Sequence, residues 1–334
     1  MQNKKSRPAL AYYADGIIKG DRVVLAQAIT LIESELSSDR EIASNLVQTM
    51  QPHSGNALRV GITGAPGVGK SSLIESLGKH ITDQHNKIAV LTIDPSSPRT
   101  KGSILGDKTR MDTLARNPHA FIRPSPAGKA LGGVTNRTRE AMMLCEAAGF
   151  NVIIVETVGV GQSEVAVKNM VDFFLLLLLP GAGDELQGIK KGIVELSDAL
   201  VITKADGDNL DRARQAQAEY QHALHLLNPG GSTWRTPVML ISSLTGSGIQ
   251  EIWHTMTEFK NKTTASGEFD TNRINQRLIW FEEQFHFLLQ RNLTESETLQ
   301  QQIKSLKEKV ISQMLSPSLA AHQLLQLFYQ SICK

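Results

Sequence analysis

Apolar residues in the first fifty positions recur at steps of three and four. The stretch "LAQAITLIE" (25–33) is typical, and residues 9–50 read as amphipathic helices. Pro and Gly in "QPHSGNA" (51–57) break that pattern and mark a linker. From residue 58 the rhythm changes. Short aliphatic runs follow one another: "LRVGIT" (58–63), "KIAVLTID" (87–94), "NVIIVET" (151–157), "DFFLLLLL" (172–179), "ALVITK" (199–204) and "PVMLIS" (237–242). They lack the polar alternation of half-exposed strands, and helix-like stretches such as "SSLIESLGKHI" and "RTREAMMLCEAAG" lie between them. Buried strands separated by helices predict an α/β fold with a mostly parallel central sheet flanked by helices. Ligands of such sheets sit beyond the carboxyl ends of the strands, so the residues following each run are where chemistry is expected.

After about residue 262 the strands stop. "TTASGEFDT" reads as a small-residue connector. "INQRLIWFEEQFHFLL" then places Ile274, Leu278, Phe281, Phe285 and Leu288 on one helical face, and "LQQQIKSLKEKVISQML" does the same with Leu299, Ile303, Leu306, Val310 and Met314. Pro317 is expected to end that helix before a last amphipathic stretch. The organisation predicted is an N-terminal helical segment (1–50), a central α/β domain (51–262) and a C-terminal helical segment (263–334). Periodicity alone leaves open whether the last segment packs on the sheet domain or makes a dimer interface.

Composition narrows the classes. Of 334 residues, 41% are hydrophobic and 20% charged, with a net charge of +2, ordinary values for a soluble globular protein. No dense basic tract with interleaved aromatics points to nucleic acid. The most apolar run, "VDFFLLLLLPG" (171–181), falls far short of the roughly 20 residues that span a bilayer. The basic N-terminus has no apolar region behind it, so no secretory signal is expected. Cys145 and Cys333 match no metal or redox spacing and suggest a reducing compartment. A cytoplasmic protein without membrane or nucleic-acid partners is the expectation.

The chemistry begins with "GITGAPGVGKSS" (61–72), which fits G-x-x-x-x-G-K-[ST] between a strand-like run and a helix-like one. Gly64, Gly67 and Gly69 let the backbone turn amides toward phosphate oxygens, with Ala65, Pro66 and Val68 completing the loop. The helix beginning near Ser71 and Ser72 adds its N-terminal dipole. Lys70 is expected to reach the β- and γ-phosphates and the Ser71 hydroxyl to bind Mg2+.

"ITKAD" follows the fifth run. A carboxylate at Asp206 can accept from both N1–H and the 2-amino group of guanine, a donor pair that adenine lacks, so it selects GTP and GDP. The Lys204 stem can cover the base. Another strand ends in "ISSLTGSGI", whose Ser242, Ser243 and Leu244 are placed to read the base through backbone groups. Together these motifs predict a P-loop GTPase.

"ETVG" (156–159) stands where most GTPases have Asp-x-x-Gly. Glu156 would hold Mg2+, and the Gly159 amide would sense the γ-phosphate. Asp94 and Asp107 flank the Gly/Ser/Pro-rich segment "DPSSPRTKGSILGDKTRM" and are further expected metal and switch ligands. Lys70, Glu156, Asp94 and Asp107 are thus the candidate catalytic residues. Val160 occupies the place of the water-orienting Gln of many small GTPases, and the nearest Gln is Gln162. Slow intrinsic hydrolysis, accelerated by a partner, is the expectation.

"GITGAPGVGKSS", "DPSSPRTKGSILGDKTRM", "CEAAGFNVIIVETVGVGQSE", "PGAGDELQGIKKGI" and "ITKADG" together resemble the MeaB/ArgK-type GTPases over nearly the whole chain. The resemblance implies a metallochaperone-type GTPase that assists cofactor loading and protection of adenosylcobalamin-dependent methylmalonyl-CoA mutase, or of a related mutase. It also implies a homodimer formed through the C-terminal helices and an additional switch at 181–191. Thr203 replaces the usual Asn of the guanine motif, which implies one weaker contact to the base. Two other readings stand behind this one. A GTPase inserting nickel or cobalt into another apo-enzyme would carry His-rich or Cys-x-Cys motifs, whereas the 9 histidines here are scattered. A transport-associated ATPase or kinase conflicts with the guanine motif and lacks a kinase catalytic loop.

Overall fold

The computed structural model describes residues 7–94, 111–126, 131–157, 163–181, 191–227 and 233–332. The N-terminal segment forms three helices: α1 (Leu10–Ile18), α2 (Arg22–Ile32) and α3 (Ser37–Met50). Asp21 caps α2 by accepting from the Val23 and Val24 amides, which satisfies two of its free N–H groups. Seven strands follow: β1 (Leu58–Gly64), β2 (Ile88–Asp94), β3 (Ala120–Pro126), β4 (Val152–Thr157), β5 (Phe173–Leu178), β6 (Ala199–Ile202) and β7 (Val238–Leu240). They form one sheet in the order β3-β2-β4-β1-β5-β6-β7, and every pairing is parallel.

Strand alternation divides the core into two layers. Val60 and Ile62 of β1, Val90 of β2 and Ile154 of β4 face α4 (Lys70–Asp83), α5 (Asp112–Arg116) and α10 (Ile249–Ser266). On the opposite side Leu91 and Val155 meet α6 (Leu131–Ala147) and α7 (Ser163–Lys168), with α1 to α3 joining the same cluster. On that face Leu176, Leu200 and Val238 pack under α9 (Leu210–Leu227), and Val194 of α8 (Lys191–Leu196) joins them. Both faces are covered, so the strands carry continuous apolar runs, as the sequence indicates.

At the amino ends of β1 and β5 a buried charge cluster closes the sheet. Arg273, in the first turns of α11 (Glu268–Glu295), pairs with Asp172 and donates to the Ala57 carbonyl at 2.8 Å. Arg59 pairs with Glu146 at 2.7 Å, and its amide donates to Asp172 at 2.8 Å.

Three features differ from the sequence reading. "TTASGEFDT" is not a connector: α10 runs to Ser266, and one left-handed residue, Gly267 (φ 79°), separates it from α11. Residues 120–126 form an edge strand, β3, that the run-by-run reading passes over. Pro317 does not end a helix: α12 (Glu297–Ile311) stops earlier, and Pro317 is the first residue of α13 (Pro317–Ile332), where a missing N–H costs nothing.

The chain divides into two compact units, one ending at Arg277 and one beginning at Leu278. In the second, Leu299, Leu306, Ala320 and Phe328 are buried. Among the described residues no helix is long and apolar enough to cross a membrane.

Candidate functional site

Because all strands run the same way, the segments after β1, β4, β6 and β7 emerge at one edge of the sheet. The phosphate loop leaves β1 and enters α4. Gly69, the N-cap of α4, has φ 103°, a conformation only glycine adopts without strain. The Lys70 ammonium turns back into this loop and donates to the carbonyls of Gly64 at 2.7 Å and Ala65 at 3.1 Å. Burial lowers its pKa from the usual lysine range, while the charges of Glu156 and Glu164 act in the other direction. The loop therefore holds a desolvated cation at its centre, which a phosphate oxygen can satisfy better than a neutral carbonyl. Ser72, beside it, is exposed.

Ser71, in the first turn of α4, donates its hydroxyl to Glu156 of β4 at 3.3 Å. Ile62 of β1 is in register with Glu156 on the neighbouring strand, so the sheet itself delivers this carboxylate to the mouth of the loop. Glu156 is 7% exposed. Behind it, Thr157 donates to Thr63 at 2.8 Å, a fully buried hydroxyl pair that ties the ends of β1 and β4 together. Asp94 is the last residue of β2; its side chain, like Asp107, Gly159, Val160 and Gln162, lies outside the described residues, as does all but the ends of 181–191.

The third group is built on β6 and β7. Beyond β6, Lys204 is exposed and takes φ 55°, a left-handed turn that is uncommon for a residue with a side chain. Asp206 lies two residues on and accepts a hydrogen bond from the Ser242 hydroxyl. Ser242 is itself held by the loop after β7: its amide donates to Ser247 at 3.0 Å, and its hydroxyl accepts from the Thr245 amide at 3.1 Å. Leu244 projects into solvent, 87% exposed, and the Ser243 carbonyl accepts weakly from Ser76 at 3.5 Å. Asp206 is thus oriented by a neighbouring loop, with its second carboxylate oxygen available to a ligand.

Thr203 differs from expectation. Its hydroxyl is not offered to a base; it is buried and donates to the Val68 carbonyl of the phosphate loop at 2.6 Å, with Leu178 O a second acceptor at 3.2 Å. It joins the end of β6 to the phosphate loop. Three other residues have no role in the sequence reading, although one of them, Glu164, closes the "ETVGVGQSE" stretch. Glu75 of α4 accepts from the Thr113 and Leu114 amides and so pins α5, where the segment carrying Asp107 ends. Glu164 stands close enough to Lys70 to act on its charge. Thr92 lies beside Glu156 in the sheet. Only the structure brings these positions together.

Comparisons with known proteins identify the family. The family model for the methylmalonyl-CoA mutase-associated GTPase MeaB matches residues 25–298. A probable GTPase of Mycobacterium tuberculosis is 49% identical over 314 residues, covering 94% of each chain. The mitochondrial methylmalonic aciduria type A homolog of Mus musculus is 48% identical over 327 residues, covering 94% of this chain and 78% of its own. Among solved structures, one described as an LAO/AO transport system kinase superposes with a TM-score of 0.75 at 38% identity, covering 96% of this chain and 97% of that one. A match of this extent takes in the scaffold as well as the phosphate loop, and the chain is a GTPase of the MeaB family.

Proposed function

We propose that this GTPase is a nucleotide-controlled chaperone of an adenosylcobalamin-dependent acyl-CoA mutase, methylmalonyl-CoA mutase or a close relative, and that it works as a homodimer with Mg2+ and GTP or GDP. The mutase half of this reading is supported by the family match, whose description names that enzyme. The nucleotide half is carried by one observation: the Ser71 hydroxyl and the Glu156 carboxylate meet at 3.3 Å at the mouth of the phosphate loop. These are hard oxygen donors, few in number, as suits a Mg2+ that takes its remaining ligands from phosphates and water. Bound there, the ion would neutralise charge on the β- and γ-phosphates. Lys70 would exchange its carbonyl contacts for phosphate oxygens, and Asp206 would accept from the guanine edge. Asp94, the last residue of β2, and Asp107, in the sequence that follows it, are proposed as switch ligands on the metal side, and Gly159 as the reader of the γ-phosphate.

The output of such a device is conformational, so its hydrolysis should depend on what it binds. The test is single-turnover GTP hydrolysis with and without the purified mutase, together with capture of the mutase in the presence of GDP or of a non-hydrolysable GTP analogue. We expect the mutase to accelerate turnover at least about tenfold, a barrier change of about 1.4 kcal/mol, and capture to differ between the two nucleotides. Equal rates and equal capture would remove the mutase from the proposal while leaving the GTPase.

A further inference from the structure

On the face of the sheet toward α4, five residues stand side by side in register: Pro124 of β3, Thr92 of β2, Glu156 of β4, Ile62 of β1 and Leu175 of β5. Thr92 and Glu156 are the polar pair in this row. Glu156 meets Ser71. Thr92 is 3% exposed, and its hydroxyl has no hydrogen-bond partner among the described residues. An orphaned buried hydroxyl costs roughly 1–3 kcal/mol, and valine would fill the same volume on a strand without that cost. The residues below it on the same face of β2, Ile88 and Val90, are apolar core. Packing therefore does not explain a threonine here. Its register neighbours are Pro124 on one side and, on the other, Glu156, whose carboxylate meets Ser71 at the mouth of the phosphate loop.

We infer that Thr92 is a positioning residue of the metal site, its hydroxyl a hydrogen-bond donor to the oxygen shell on the Glu156 side: the carboxylate itself or a water it holds. The inference rests on the reading of Ser71 and Glu156 as Mg2+ ligands. Partners behind a metal's direct ligands fix their orientation, and losing one typically weakens the metal roughly 10- to 100-fold.

The experiment measures Mn2+ affinity of the full-length protein bound to GDP, by electron paramagnetic resonance, for wild type, Thr92→Val, Thr92→Ser and Glu156→Gln. Melting without nucleotide or metal is measured on the same samples. We expect Thr92→Val to bind Mn2+ roughly tenfold more weakly, and Thr92→Ser to stay within about twofold of wild type because it keeps the donor. The apo melting temperature of Thr92→Val should equal or exceed that of wild type, since the orphan is gone. Unchanged Mn2+ affinity in Thr92→Val beside a clear loss in Glu156→Gln overturns the inference and leaves the metal site standing. Unchanged affinity in both variants overturns the metal reading and the inference with it. A Thr92→Val protein that melts earlier yet binds Mn2+ like wild type assigns the hydroxyl to the fold alone. Should that variant be insoluble, Thr92→Ala gives the same Mn2+ readout.

Discussion

In the proposed nucleotide site, base choice hangs on one side chain, Asp206. Asp206 already spends one contact on Ser242, which is clamped by its own loop. An asparagine there keeps a carbonyl oxygen for Ser242 but turns an amide N–H2 toward the guanine edge, donor against donor. Each hydrogen bond to a charged acceptor is worth about 1.5–3 kcal/mol. Asp206→Asn should therefore weaken GTP by roughly 10- to 100-fold with little change for ATP, and should improve XTP, whose 2-oxo group accepts from an amide. Competition among the three nucleotides reads this directly; unchanged discrimination would take Asp206 out of the base site. Such a residue is legible in sequence because its chemistry is dictated: few side chains match the donor pair of guanine, and few loops can wrap phosphate without glycine and lysine. Thr203 and Thr92 are not legible in the same way. A threonine near a strand end is unremarkable until register shows which carbonyl or carboxylate stands next to it.

Elements follow the same division. The central strands could be read because both faces are buried and their aliphatic runs are unbroken. β3 could not, because "AFIRPSP" carries Arg123, Pro124 and Pro126. An edge strand with β2 as its neighbour tolerates prolines that an inner strand would reject. The α10–α11 junction was hidden for the opposite reason: threonines, alanine and serine imitate a loop, while the real break is the single residue Gly267. The loop after β7 is more constrained than its small residues suggest. Gly248 has φ 80°, and a Cβ there would sit 2.3 Å from the Leu240 carbonyl and 2.8 Å from the Ile241 side chain. The obstacle is backbone, so the loop that holds Ser242 must move. Gly248→Ala should cost about 2–4 kcal/mol by urea denaturation and should weaken GTP as well, because Asp206 loses its clamp. A variant within about 0.5 kcal/mol of wild type would show that the loop yields more easily than its contacts imply.

At the scale of the molecule, the second unit leaves apolar surface that its own folding does not account for. Leu278, Phe281 and Phe285 recur on one face of α11 and are 57%, 68% and 53% exposed, and Ile311 and Met314 reach 81% and 80%. Single exposed apolar residues need no explanation, but large ones aligned along one helix mark an interaction surface. The amphipathic period that predicts these positions from sequence does not say what covers them; a second copy of the same face is the simplest closed solution, since a two-fold axis lets one patch meet itself. If that is the dimer interface, charging its centre must break it. Phe281→Asp combined with Phe285→Asp would bury like charges opposite one another across the axis, and the product should sediment as the 36.6 kDa monomer at concentrations where wild type is a dimer. Both residues are exposed within the protomer, so far-UV circular dichroism and the melting temperature of the monomeric unit should stay near wild type. A double variant that remains dimeric places the interface elsewhere, and a wild-type protein that sediments as a monomer at tens of micromolar removes self-association as the occupant of this face.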